Sequence, residues 1–230
     1  MFLGSQMTKK HNFTLQLCNN DVKQVSCCKY LGVYVDDQLN WKNHIEYVHK
    51  KLLKFVSIFY KLRHKVNSQI LQTVYFSFIY PHLLYGIEVY ANTKKSFLKG
   101  LIILNNKLLR TLQQQTLRTH TVELYKNYNT LTIPDLHDYQ LCNLVHKFLY
   151  KDKLPPAYSN YFTQNYAVHN YCTKNRNDLH LQSCQTAIGK KIIKFKASQL
   201  WNLLPNDLKQ IQSYNSFKSR LKIYINSKSN

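Results

Sequence analysis

Tyr30-Leu31-Gly32-Val33-Tyr34-Val35-Asp36-Asp37-Gln38-Leu39-Asn40-Trp41-Lys42-Asn43-His44-Ile45 carries the handover on which the fold turns. Its first half is β-branched and aromatic, as strands are, and it stops at a cluster of Asp, Gln and Asn. Asn40 then stands as an N-cap ahead of an apolar-periodic run over residues 41–65. At about 100° per residue, Ile45, Val48, Leu52, Phe55, Val56, Phe59 and Leu62 gather on one side of that helix. Lys50, Lys54, Lys61 and Lys65 fall within an arc of roughly 60° on the other. The stretch predicts a strand, a turn and a basic amphipathic helix, in that order.

Upstream, residues 12–18 alternate apolar and polar, Asn19-Asn20-Asp21 is a turn, and residues 22–35 supply a return strand. So small a hairpin needs a cover for its apolar face. Downstream, a second helix begins at Ser68 with Ile70, Val74 and Phe78 as core, and kinks or ends near Pro81 before Gly86. A third covers residues 94–114 around Phe97, Leu101, Leu104, Leu108 and Leu112. Lys107 and Arg110 lie late in it, where cations suit the helix dipole. A fourth opens at Ile133-Pro134-Asp135 and runs to residue 150. Residues 157–190 are polar and loop-like, 192–195 are a candidate strand, 197–203 a short helix and 216–225 a last basic helix. The fold class is mainly α with a small N-terminal β-hairpin (α+β). Trp41 and Trp201 are expected as core anchors.

Lys and Arg outnumber Asp and Glu by 32 to 11, leaving a net charge of +21 that repels itself without a polyanion. Nucleic acid is the commonest such partner, and 18 Tyr and 11 Phe offer faces on which bases stack. Basic drift in composition, with no ligand, is the plain alternative. Met1 to Lys10 lacks the apolar core of a secretion signal. The six Cys include no C-x-x-C pair, which fits reduced thiols in the nucleus or cytoplasm of a protein that is not secreted. Residues 66–87 carry no Asp, Glu, Lys or Arg, yet Asn67, Ser68, Gln69, Gln72, Thr73, Ser77, Pro81 and His82 make them a buried helix rather than a membrane span.

Tyr30-Leu31-Gly32-Val33 followed by Asp36, Leu39, Trp41, His44 and Ile45 resembles the palm–thumb junction of reverse transcriptases from non-LTR (LINE-type, jockey-like) retrotransposons. Pro81-His82-Leu83-Leu84-Tyr85-Gly86 and Asn105-Asn106-Lys107-Leu108-Leu109-Arg110 resemble further segments of that family. So do His169-x-Tyr171-x-Thr173-Lys174, Asp178-Leu179-His180-Leu181, Trp201-Asn202-x-Leu204-Pro205 and Ser213-x-x-x-Phe217-Lys218. Lys174 stands where the family usually has Arg, so a bidentate clamp there is lost. The resemblance implies a palm-edge hairpin remnant over residues 1–38, a thumb-like helical bundle over 39–130, and a mixed, mostly helical C-terminal domain over 131–230. It also implies that the sequence starts after the catalytic carboxylates. The parent activity is RNA-directed DNA polymerisation with Mg²⁺; this chain is expected to have no catalytic residue and no cofactor of its own. Template–primer binding, to RNA–DNA hybrid or duplex, is the task that remains. Its candidates are Lys50, Lys54, Lys61 and Lys65, followed by Lys107, Arg110, Lys190, Lys191, Lys194 and Lys196. Rival expectations are an inert relic of a dead element and a host-adopted basic interaction module.

Two constellations mimic other chemistry. Tyr34-Val35-Asp36-Asp37 spells a metal-holding Tyr-x-Asp-Asp box, but a helix follows where that box needs a second strand. Two-metal catalysis also needs carboxylates converging from separate elements. A strand-exit or helix-entry role is expected for Asp36 and Asp37. His169, Cys172, His180 and Cys184 have zinc-ligand chemistry, with the loose spacing of chance loop residues.

Overall fold

The computed structural model describes residues 15–150, 154–168, 176–186 and 189–228. Helix accounts for 61% and strand for 7%, so the chain is mainly α with a small antiparallel β element at its N-terminal end. Two compact units emerge: residues up to 86 with 93–119, and residues 87–92 with 120 onward.

In the first unit the β portion is doubled. β1 (Leu15–Leu17) pairs antiparallel with β2 (Asn20–Val22), and β3 (Cys27–Tyr30) pairs with β4 (Val33–Asp36). The expected single return strand is thus broken at Leu31-Gly32. Both residues adopt left-handed φ, 45° and 82°, which turns the chain back in two residues. The first hairpin's Asn12, Phe13 and Thr14 lie outside the described residues.

Helix α1 (Lys42–Leu62) buries Ile45, Val48, Leu52 and Phe59 as its periodicity requires, and His44 with them. It packs mainly on α5 (Lys95–Leu112), which buries Leu101, Leu104, Leu108 and Leu112. Lys65 lies past the end of α1, in the turn closed by its N–H to the Leu62 carbonyl at 2.8 Å.

Between them run α2 (Ser68–Val74), a π-helical turn (Tyr75–Ile79) and α3 (Tyr80–Leu84). Here the expected core is off by one residue: Ile70 and Phe78 are exposed, while Leu71, Tyr75, Ile79 and Leu83 are buried. Residues four apart drift about 40° per step around an α-helix. The wider π turn takes back part of that drift and keeps the buried four in one line. It sits just before Pro81, which has no N–H to continue an α-helical ladder. The Tyr75 hydroxyl finds Asn105 Oδ1 at 3.2 Å inside the core, which fixes the register.

The second unit contains α4 (Ile87–Tyr90), α6 (Thr121–Asn127), α7 (Ile133–Leu149), α8 (Ile193–Asn202), α9 (Asn206–Lys209) and α10 (Tyr214–Lys228). Thr132 caps α7, accepting from the Asp135 N–H and donating its hydroxyl to the Asp135 carboxylate. The candidate strand at 192–195 is instead the first turn of α8, because Ala197 and Trp201 follow at helical spacing and are buried. Phe217 stacks on the buried His146 ring at 4.2 Å, and His146 Nε2 lies 2.7 Å from the Ile211 carbonyl. Trp201 joins this cluster as an anchor, 5.7 Å from Phe217 between ring centres. Trp41 is only half-buried. Among the described residues no helix is long and apolar enough to cross a membrane.

Candidate nucleic-acid interface

Asp36, 5% exposed, gathers the turn that launches α1. One carboxylate oxygen accepts from the N–H of Gln38 at 3.2 Å and Asn40 at 3.0 Å; the other accepts from Trp41 at 2.8 Å. Three amides on one carboxylate offset the cost of holding Leu39 and Trp41 at left-handed φ of 52° and 63°. The N-cap is therefore Trp41, not Asn40. Asn40 still contributes, since its side chain accepts from the Lys42 N–H at 3.0 Å and its carbonyl from the Thr93 hydroxyl at 2.7 Å. This is the expected strand-exit role, built as an amide clamp.

The turn fixes the direction of α1 and with it the lysine face. Lys50, Lys54 and Lys61 are exposed on one side of the helix, spanning about 16 Å along its axis. Lys65 is exposed beyond the helix end. Beside this row is a cluster that sequence spacing does not show. Tyr34 from β4 and Tyr47 from α1 lie 5.1 Å apart; Lys29 Nζ stands 5.7 Å and 5.5 Å from their ring centres. Lys51 Nζ stands 5.5 Å from Tyr47. Tyr47 falls about 60° around α1 from Lys50, so cluster and row form one surface. At the far end the exposed Tyr60 ring carries the Arg63 guanidinium at 4.0 Å. Burial, and then the charge of Lys51, hold the His82 imidazole below its ordinary pKa. Glu46, one turn before Lys50 on the same side of α1, lies 4.0 Å from Lys42 Nζ.

The remaining candidates are placed differently. Lys107 is exposed on α5, while Arg110 is half-buried and donates to the Thr119 carbonyl at 3.2 Å, which ties it to the fold. In the second unit Lys190 and Lys191 are exposed in the 3₁₀ turn Gly189–Lys191, and Lys194 and Lys196 are half-buried in α8.

Both oxygens of Asp36 accept from backbone amides. Among the described residues no three or more His, Cys, Asp or Glu come together as metal ligands. Of the zinc candidates, His169 and Cys172 lie outside the described residues, as does Lys174. His180 and Cys184 line a cavity of about 40 Å³ with Gly189 and Ile192.

Comparison with known proteins gives one informative likeness. The chain is 29% identical over 133 residues to the RNA-directed DNA polymerase from mobile element jockey of Drosophila melanogaster. The match covers 56% of this chain and 14% of that polymerase. No protein-family model matches the chain, and no solved structure matches it. The likeness supports an origin related to the reverse transcriptases of non-LTR retrotransposons.

Proposed function

We propose that this chain is a reverse-transcriptase-derived protein that grips RNA–DNA hybrid or duplex nucleic acid through phosphate contacts, with little sequence preference. The observation that carries this is the continuous face of Lys50, Lys54 and Lys61 beside the Lys29–Tyr34–Tyr47–Lys51 cluster. A row of ammonium groups on a rigid helix tracks a sugar–phosphate backbone, and the flanking tyrosines give contact area without reading a base edge. In this reading the two β-hairpins are a palm edge and α1 with α5 the body of a thumb. Lys65 and Lys107 extend the grip; Arg110 serves mainly the fold. Lys190, Lys191, Lys194 and Lys196 form a secondary contact in the second unit. Strand synthesis is not assigned to these residues, because Asp36 spends its charge on the α1 turn.

The test is fluorescence anisotropy with an RNA–DNA hybrid across a salt series. The wild-type chain loses affinity steeply with salt; Lys50, Lys54, Lys61 and Lys65 changed together to Glu reduce the log–log slope by about 3–4. Affinity that stays flat between about 50 and 200 mM salt overturns the proposal. Unchanged binding by the Glu variant removes the α1 lysines from the grip, and no binding by the wild-type chain returns it to the inert or protein-binding alternatives. Primer extension that needs Mg²⁺ and is abolished by Asp36→Asn would overturn the non-catalytic part.

A further inference from the structure

Thr130 is 3% exposed, and its Oγ1 is a buried oxygen without a hydrogen-bond partner. Leaving such a group unmatched costs about 1–3 kcal/mol. The same residue lines a cavity of about 360 Å³ within the second unit, bordered by one side of α6, the start of α7 and the last turns of α10. That volume suits a small ring system rather than a whole polymer segment, since ligand pockets begin at about 300 Å³. Val122, Tyr125 and Ile223 supply apolar wall, and Asn129, Thr130 and Asp135 supply amide, hydroxyl and carboxylate. Lys126, also on the lining, is exposed to solvent.

We infer that this cavity takes a single unstacked nucleobase, with the attached phosphate held at Lys126. A flat heteroaromatic ring needs apolar contact on its faces and hydrogen-bonding groups at its edge, and the lining offers both kinds. The Asp135 carboxylate repels an anion from the interior, which leaves the phosphate at the ammonium outside. A rotation of the Thr130 side chain brings its buried hydroxyl, able to donate and accept, to the base edge and gives it the partner it lacks. The inference rests on the proposed grip on nucleic acid and adds to it a site for an unpaired nucleotide.

Saturation-transfer NMR and calorimetry of the full chain with the four ribonucleoside monophosphates test it, with ribose 5-phosphate as the base-free probe. At least one nucleotide is expected to bind with a dissociation constant on the order of 1 mM or tighter, about −4 kcal/mol. Saturation falls more strongly on base than on ribose protons. Ile223 is 70% exposed, so Ile223→Trp obstructs the opening without disturbing the core, and weakens binding about tenfold or more. Thr130→Val weakens it about tenfold at an equal or higher melting temperature; a hydroxyl with a purely structural role changes the melting temperature alone. Hybrid binding is unaltered in Ile223→Trp, and nucleotide binding survives the four Lys→Glu changes, so the two proposals fail separately. No saturation transfer from any nucleotide, equal affinity for ribose 5-phosphate, or full binding by Ile223→Trp overturns the inference.

Discussion

Asn202 grips Leu179 by both backbone groups: its Nδ2 donates to the Leu179 carbonyl and its Oδ1 accepts from the Leu179 N–H, each at 2.9 Å. One side-chain amide thus does the work of a neighbouring strand for a loop residue that is itself buried. Lys209 closes the same corner, reaching Asp178 Oδ1 at 3.0 Å and the Asn202 carbonyl at 2.9 Å. Two segments singled out in the sequence, around Asp178 and around Trp201, are therefore halves of one joint.

Asn202→Leu keeps the branched skeleton of the side chain and leaves both Leu179 groups without partners. We expect a loss of about 2–4 kcal/mol, since each buried orphan costs about 1–3 kcal/mol and the site relaxes in part. Asn202→Asp keeps the acceptor for the N–H but sets a carboxylate against the Leu179 carbonyl, and loses a comparable amount. Urea unfolding of both variants checks this; a change under about 0.5 kcal/mol would show the joint to be incidental.

Asp36→Asn retains one acceptor of the two that serve Gln38, Asn40 and Trp41. The expected cost is about 1–3 kcal/mol, concentrated at the entry to α1. Hydrogen exchange should show the amides of Trp41 to His44 losing protection while those of α7 keep theirs. Protection unchanged at Trp41 would contradict the amide clamp.

His44 should make the first unit acid-sensitive. Its Nδ1 faces the Tyr34 N–H at 3.4 Å, and burial lowers its pKa from the ordinary value of 6.5. A histidine that is harder to protonate when folded than when unfolded stabilises the fold fully above pH 6.5. That contribution is lost as pH falls from there through the folded pKa. His82 acts in the same direction, through burial and then Lys51. The melting temperature should therefore fall between about pH 7 and 5.5, and His44→Gln should shrink the fall. Equal pH profiles for variant and wild type would remove His44 from the account.

How much of this was readable in advance depends on the range of the interactions. The buried side of α1 and its lysine face followed from Ile45, Val48, Leu52 and Phe59 alone, because helical period is a local property. Asp36 as a strand-exit residue was legible from the helix that follows it. The core line Leu71–Tyr75–Ile79–Leu83 was not, since Ile70, Val74 and Phe78 repeat at the same spacing. What distinguishes them lies far along the chain, as in the Tyr75–Asn105 bond thirty residues apart. Leu31-Gly32 hid a hairpin turn because leucine rarely takes left-handed φ. The Tyr34–Tyr47 cluster and the Thr130 cavity come from separate elements, and no spacing along the chain announces either.

The path of the backbone carries a practical consequence. The polypeptide leaves its first unit after Gly86, contributes residues 87–92 to the second, and returns at Thr93. Neither body is a continuous segment, so a cut at residue 86 or 119 strips one of them of a part it needs. Expression of halves will therefore mislead, and separation of the two bodies calls for a permuted chain in which residues 87–92 travel with residues 120 onward.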